Sequence, residues 1–322
     1  MIFKFMIRFI YFLHYLLARL IAGLLNLIPF GLAKCIARSM CRLFYYILSE
    51  RRTIALHNLR MVFPEKSEAE IKTIALDSFA NMGKIGIEFI RFPKLLRNKD
   101  FFKIDKPEVV QKALAYKKGV IVIVSHLTNW EAVAIVCGAA HTSYTIGRPL
   151  RNPYLYNYVK YLRGLTGTVS IDKAGAIREV MKQLKYNYLF GFLIDQHERQ
   201  GAVKTNFFGK PCFTTTLPAR IGAKWQIPVI TCFADRDEND WLVVRSNGPY
   251  FLKNSGDEEA DAVSNTQFLN DKIEEEIRKR PGDWLWMHRR WRAAYGNELS
   301  FMQQKHQDEA LQAGTDERRV YG

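Results

Sequence analysis

Two ionisable residues, His126 and Glu131, lie inside the apolar stretch "GVIVIVSHLTNWEAVAIV" (residues 119–136). Ionisable groups are costly to bury unless they are paired or neutralised. A histidine beside a carboxylate keeps one tautomer, leaves its other ring nitrogen free as a base, and has its cation stabilised as it forms. That chemistry is general-base catalysis. Spacing restricts the geometry, because residues five apart on one helix are about 140° apart around its axis and do not face each other. If a helix starts at Thr128 or Asn129, His126 falls in the strand-to-helix turn and can fold back toward Glu131 in the first helical turn. A local reading competes: Thr128-x-x-Glu131 is a capping box in which Glu131 bonds backbone and His126 is a satisfied turn residue. The two roles are compatible, since a carboxylate has several lone pairs.

Such a turn needs a strand before it and a helix after it. "GVIVIV" reads as the strand and 130–140 as the helix, with the turn at a carboxyl end, where open α/β sheets place their sites. The same rhythm continues: strand "TSYTIG", helix 153–164, strand "GTVSI", helix 174–186, strand "YLFGFLI", helix 216–225, then strands "PVITCFA" and "WLVVRS". Ser67-x-x-Glu70 opens an earlier helix that runs to about Phe92, before Pro93, and Ser264-x-x-Gln267 opens a last one over 264–279. Alternation of this kind predicts an α/β fold, with a mixed, mostly parallel central sheet covered by helices. A chain of 322 residues is divided into a hydrophobic membrane-inserting helix (1–30), one α/β domain (31–295) and a polar tail (296–322).

Residue types narrow the chemistry. Five scattered cysteines without C-x-x-C, and seven histidines without H-E-x-x-H, predict neither a disulfide framework nor a metal site, and suit a reducing compartment. No G-x-S-x-G elbow occurs, and Cys137 and Cys232 sit in apolar segments as core residues rather than nucleophiles. A reaction without a covalent enzyme intermediate is therefore expected, with no cofactor.

The net charge of +15 favours acidic partners. Residues 1–52 hold eight basic groups and one acidic one, interleaved with Leu, Ile and Phe rather than with polar residues. That mixing points to a membrane and away from nucleic acid, for which no reading motif is present. Residues 5–30 are nearly long enough to span a bilayer, with Arg8, Tyr15, Arg19 and Asn26 on one stripe about 40° wide. Over 33–50, Lys34, Arg38, Arg42, Tyr45, Ser49 and Arg52 lie opposite Ile36, Met40, Leu43 and Ile47. This is a cationic amphipathic helix suited to an anionic membrane surface, or else a surface helix packing its apolar face on the core.

"HLTNWE" resembles the H-x-x-x-x-D/E motif of the glycerolipid acyltransferase superfamily, in the form of its bacterial lipid A biosynthesis branch, the lauroyl/myristoyl acyltransferases. "ALHNLRMVFP" (55–64), "GRPLRNP" (147–153), "RGLTG" (163–167), "DQ" (195–196), "FFGKP" (207–211) and "PGDWLWMHRRW" (281–291) are similar to that family's other blocks, in order, so the resemblance covers about residues 5 to 295. It implies a bacterial inner-membrane enzyme with its catalytic domain on the cytoplasmic face. The reaction implied moves a fatty acyl chain from acyl carrier protein to a hydroxyl of a lipid A precursor. His126 would be the general base, Glu131 its orienting carboxylate, and Arg163 the site arginine. Asn129, Arg148, Arg151, Asp195 and Gln196 would contact substrate, the arginines because guanidinium forks suit the acceptor's phosphates.

For Arg148, Arg151 and Arg163 the alternative is a solvated surface arginine, and for Asp195 a turn-forming residue. Arg289, Arg290 and Arg292, interleaved with Trp284, Trp286 and Trp291, suit an interfacial anchor, a phosphate contact or a structural cluster. Mycobacterial phosphatidylinositol mannoside acyltransferases share the core motif, so another lipid acceptor is the nearest alternative. A non-catalytic membrane-surface protein is the more distant one.

Overall fold

The structure, a computed structural model, describes residues 2–292; the polar tail expected over 296–322 lies outside the described residues. Four helices lead: α1 (Ile2–Leu27), α2 (Phe30–Ile47), α3 (Ser49–Val62) and α4 (Glu68–Leu95). An alternating region follows: β1 (Phe102–Asp105), α5 (Pro107–Leu114), β2 (Val120–Val124), α6 (Trp130–Ala140), β3 (Ser143–Gly147), α7 (Pro153–Arg163), β4 (Thr168–Asp172), α8 (Ala176–Gln183) and β5 (Leu189–Leu193). The chain continues through β6 (Ala202–Phe207), β7 (Lys210–Thr215), α9 (Leu217–Trp225), β8 (Val229–Arg236), β9 (Leu242–Tyr250) and α10 (Glu258–Lys279).

Seven strands form the central sheet in the order β1-β9-β8-β2-β5-β3-β4, parallel throughout except for β8 against β9. This is the mixed, mostly parallel sheet expected from the alternation. β2 explains its own place: every residue of "VIVIV" is buried, the pattern of a central parallel strand covered on both faces. Ile121 and Ile123 enter one apolar cluster, and Val120, Val122 and Val124 enter the other, beneath α6. β6 and β7 form a separate hairpin, closed by Phe208 and Gly209 at φ +53° and +69°, a two-residue turn matched to strand twist.

Several local signals needed correction. The Ser67–Glu70 capping box is present, with both reciprocal bonds made. The helix it opens continues through Pro93 to Leu95, two residues beyond the proline. α10 starts at Glu258 and not at 264, because Asp257 accepts from the Glu259 and Ala260 amides and Glu258, Glu259 and Asp261 fill the first turn. α3, β1, α5 and the β6–β7 hairpin were not anticipated as elements.

The largest correction concerns α2, whose basic face is turned inward. Lys34 pairs with Asp240 and Arg42 Nη2 lies 3.0 Å from Asp77 Oδ1, whereas Arg52 falls in α3 and its Nη1 donates to the Tyr46 carbonyl near the end of α2 at 3.0 Å. The opposite face, with Leu32, Ile36, Met40, Leu43 and Ile47, is exposed. The packing alternative does not hold: cations of the basic face meet the body of the protein, and among the described residues the apolar face is turned away from the core. A close crossing fixes the arrangement, since a Cβ at Gly83 of α4 would stand 2.3 Å from the Ala37 carbonyl oxygen. α1 is similar. Met6–Leu27 is long and apolar enough to cross a membrane, and Phe9, Leu13, Leu17, Leu20 and Leu24 are exposed. Its polar stripe instead touches α7, where the Arg19 guanidinium lies 4.4 Å from the Tyr158 ring centre. Together these faces make an apolar surface far larger than scattered exposed side chains would.

Candidate active site

The parallel register of β2 and β5 pairs Val124 with Leu193. Two residues further along each strand, His126 and Asp195 therefore emerge side by side at the carboxyl edge of the sheet. His126 Nδ1 lies 2.8 Å from Asp195 Oδ1, and the His126 amide donates to Asp195 Oδ2 at 2.7 Å. Trp284 Nε1 donates to the same Oδ2 at 2.8 Å, so the carboxylate is held by three donors in a site with no solvent exposure. Burial alone would raise the Asp195 pKa, but the charge and hydrogen bonds of His126 and the Trp284 bond outweigh it and bring it down to about 2. A carboxylate only accepts, so Nδ1 carries the proton and Nε2 carries the lone pair. Gln196 Nε2 donates to that lone pair at 3.2 Å.

Glu131 is not the partner of His126. Both its oxygens are taken by Arg163, Nε to Oε2 and Nη2 to Oε1, each at 2.6 Å, and Trp130 Nε1 adds a bond at 3.1 Å. The expected capping box fails for the same local reason. Asn129 caps α6, accepting from the Ala132 amide at 3.3 Å, while Thr128 sits at φ +51° with its hydroxyl on Asp283 Oδ2 at 3.2 Å. The helix therefore begins one residue later than a Thr128 cap requires, and Glu131 turns toward the end of α7.

A cavity of about 510 Å³ opens over these groups. His126, Gln196, Glu131 and Arg163 line its polar part; Val122, Val124, Val133, Ala134 and Leu189 line a deeper apolar part between α6 and the sheet. At the mouth Glu198 binds both Lys173 and Arg148, the latter at 3.1 Å. Of the residues expected to touch substrate, Arg148 and Gln196 line the cavity. Asp195 stands behind His126 as its partner. Asn129 is fully buried and donates to Glu88 Oε2 at 2.8 Å, and Arg151 is exposed outside the cavity lining. Trp284, Trp286 and Trp291 are buried in one stacked cluster, not at an interface, and the buried Arg290 donates to the Gln196 and Phe213 carbonyls. Cys137 reaches the cavity wall, but its hydrogen bond with Cys232 and its burial push its pKa well up, which makes it a poor nucleophile.

His288, Lys173 and Glu198 also line the cavity and were not anticipated there; His288 falls inside the block 281–291, whereas Lys173 and Glu198 carry no motif or periodic signal. Burial pushes the His288 pKa down to about 4, against the opposing pull of Asp195. The unfolded chain, with an ordinary value of about 6.5, therefore takes up this proton first as pH falls. The stability tied to His288 is complete above pH 6.5 and is lost progressively toward pH 4, by about 3 kcal/mol. Denaturant titrations at pH 7 and pH 4.5 should show a smaller difference for His288→Gln than for the wild type; equal differences would refute the assignment.

The chain is 25% identical over 273 residues to a lipid A biosynthesis acyltransferase of Haemophilus influenzae, covering 82% of this chain and 86% of that protein. It is 23% identical over 248 residues to a lipid A biosynthesis palmitoleoyltransferase of Escherichia coli, covering 76% and 80%. A phosphatidylinositol mannoside acyltransferase of Mycobacterium tuberculosis is 22% identical over 226 residues, covering 67% and 69%. The family described as bacterial lipid A biosynthesis acyltransferase matches residues 3–293, nearly the whole chain, and to that family this protein belongs.

Proposed function

We propose that this protein transfers a fatty acyl chain from acyl carrier protein to a hydroxyl of a lipid A precursor, with His126 as general base and no acyl-enzyme. The observation that carries the reading is His126 itself: Nδ1 is tied to the buried Asp195, and Nε2 carries its lone pair at the cavity, where a substrate hydroxyl would replace the Gln196 amide that donates to it. A thioester is already activated, so the protein's work is to deprotonate the alcohol and to stabilise the oxyanion. As the imidazolium forms, Asp195 stabilises its charge. Gln196 Nε2 and the Arg163 guanidinium are the donors that line the cavity beside it and suit the oxyanion or the acceptor's phosphates. The apolar recess beneath α6 suits the acyl chain.

The outward apolar faces of α1 and α2 support insertion into a membrane, where the acceptor resides, and the basic residues flanking α1 favour the cytoplasmic side. Mass spectrometry of lipid A from cells with and without the active protein is the test. One added acyl chain is expected, lost in His126→Ala, with both proteins in the membrane fraction. Met40→Lys with Leu43→Lys should move the protein toward the soluble fraction. An unchanged lipid A would shift the reading to another glycolipid or phospholipid acceptor, which the mycobacterial relative favours.

A further inference from the structure

A second cavity, about 300 Å³, lies between α2, α4 and the segment Arg280–Asp283. It shares no lining residue with the first cavity, and its wall is almost wholly polar: Arg38, Asp77, Asn81, Lys84, Arg280 and Asp283. Its wall carries three cations, Arg38, Lys84 and Arg280, and two carboxylates, Asp77 and Asp283. Asp77 is engaged by Arg42. Asp240, on the adjoining turn, is shared among Lys34, Lys84 and Arg236. Arg280 binds Asp235 and Glu276. Among the described residues Arg38 has no carboxylate within ion-pair distance, and its buried Nε has no hydrogen-bond partner. The buried Arg280 Nε and the Oδ1 of Asn81, a side chain only 4% exposed, are likewise unpartnered. Burial pulls the Lys84 pKa down, with the charges of Arg236 and Arg38 adding to it against those of Asp240 and Asp283. A protein interior seldom leaves buried polar groups in this state without a ligand or an ordered water to meet them.

We propose that this cavity is a phosphate-binding site, taking a phosphate mono- or diester group on Arg38 and Lys84. A guanidinium fork and an ammonium are the donors that suit phosphate oxygens. The cavity lies beneath α2, whose opposite face is exposed and apolar, so both a lipid headgroup and free phosphate can supply the group. It also lies behind the turn that carries His126. Asn81 Nδ2 donates to the Thr128 carbonyl at 3.1 Å and to the Asp283 carbonyl at 2.9 Å, and the Asp283 carbonyl accepts from the Thr128 amide at 3.1 Å. A ligand here is bound by the walls that hold the turn, on the side away from the reaction.

Thermal unfolding of the full-length protein in detergent, with and without inorganic phosphate, tests the site. At about ten times its dissociation constant phosphate should raise the Tm of the wild type by about 3 °C more than that of Arg38→Gln or Lys84→Gln. Phosphate also stabilises proteins by exclusion from their surface, but that acts on all variants alike, so the difference is the quantity read. Without phosphate, Arg38→Gln should be at least as stable as the wild type, because it removes a repulsion and no bond. A drop in its Tm together with an unchanged phosphate response would overturn the proposal and make Arg38 a packing residue. Phosphatidylglycerol and phosphatidylcholine micelles separate the sources. A difference between wild type and Arg38→Gln with phosphatidylglycerol assigns a headgroup, and one with inorganic phosphate alone assigns a free phosphate group. No difference with any probe refutes the site. These readouts do not depend on acyl transfer, so failure of the enzymatic reading leaves them intact.

Discussion

His126→Ala should lower kcat by about 10²–10⁴-fold, Asp195→Asn should lower it nearly as far, and the double variant should fall no further. The asparagine is the more informative change. Asp195 Oδ2 accepts from the His126 amide and from Trp284 Nε1, while Oδ1 accepts from His126 Nδ1. An asparagine oxygen set in the Oδ2 position keeps two of these bonds. Its amide nitrogen then faces Nδ1 and donates to it, which moves the ring proton to Nε2. The base is lost although every heavy atom stays in place. The reverse orientation would set an NH₂ group against two N–H donors in a fully buried site, which is the costlier arrangement. Circular dichroism should therefore match the wild type, and KM should change little, because the acyl recess and the arginines are untouched. If Asp195→Asn keeps near-wild-type kcat, the assignment of Asp195 as the positioning carboxylate is wrong.

That role was only half legible in the sequence. Asp195 stood out as a residue ending a strand, a place that suits a site, but its partnership with His126 depends on β2 and β5 being neighbours in register. Strand order is a property of the whole sheet, and no local pattern in either strand encodes it. The alternation of apolar runs with helical segments was enough for the fold class, because β2, β5 and β8 are buried strands whose composition leaves few alternatives. Thr128 shows the opposite case. Its left-handed backbone is disfavoured for a β-branched residue, and only the bonds to Asp283 and Asn81 hold it there, from segments far along the chain. Periodicity revealed the two faces of α2 but not their surroundings. The inward face meets Asp77 and Asp240, and neither can be matched to Lys34 or Arg42 without the fold.

The Glu131–Arg163 pair should carry the largest effect on stability. Its side chains are 11% and 24% exposed, and both bonds of the fork are short. Burial acts to lower the Arg163 pKa, and the charge and hydrogen bonds of Glu131 more than reverse that, so the guanidinium depends on this carboxylate. Glu131→Ala leaves it buried and unpaired, at a cost of about 3 kcal/mol, or a fall in Tm of about 5–10 °C. Arg163→Met strands the carboxylate beside Trp130 at a similar cost. Replacing both with methionine should recover most of the lost stability, since an apolar pair of similar volume has no charge to desolvate. Acyl transfer should not recover with it, because the cavity would still lack its guanidinium beside His126. Stability restored without activity thus separates two roles that either single substitution would merge. Should Glu131→Ala instead leave Tm unchanged and lower only kcat, Glu131 would act through His126, as the resemblance to the H-x-x-x-x-D/E motif implies.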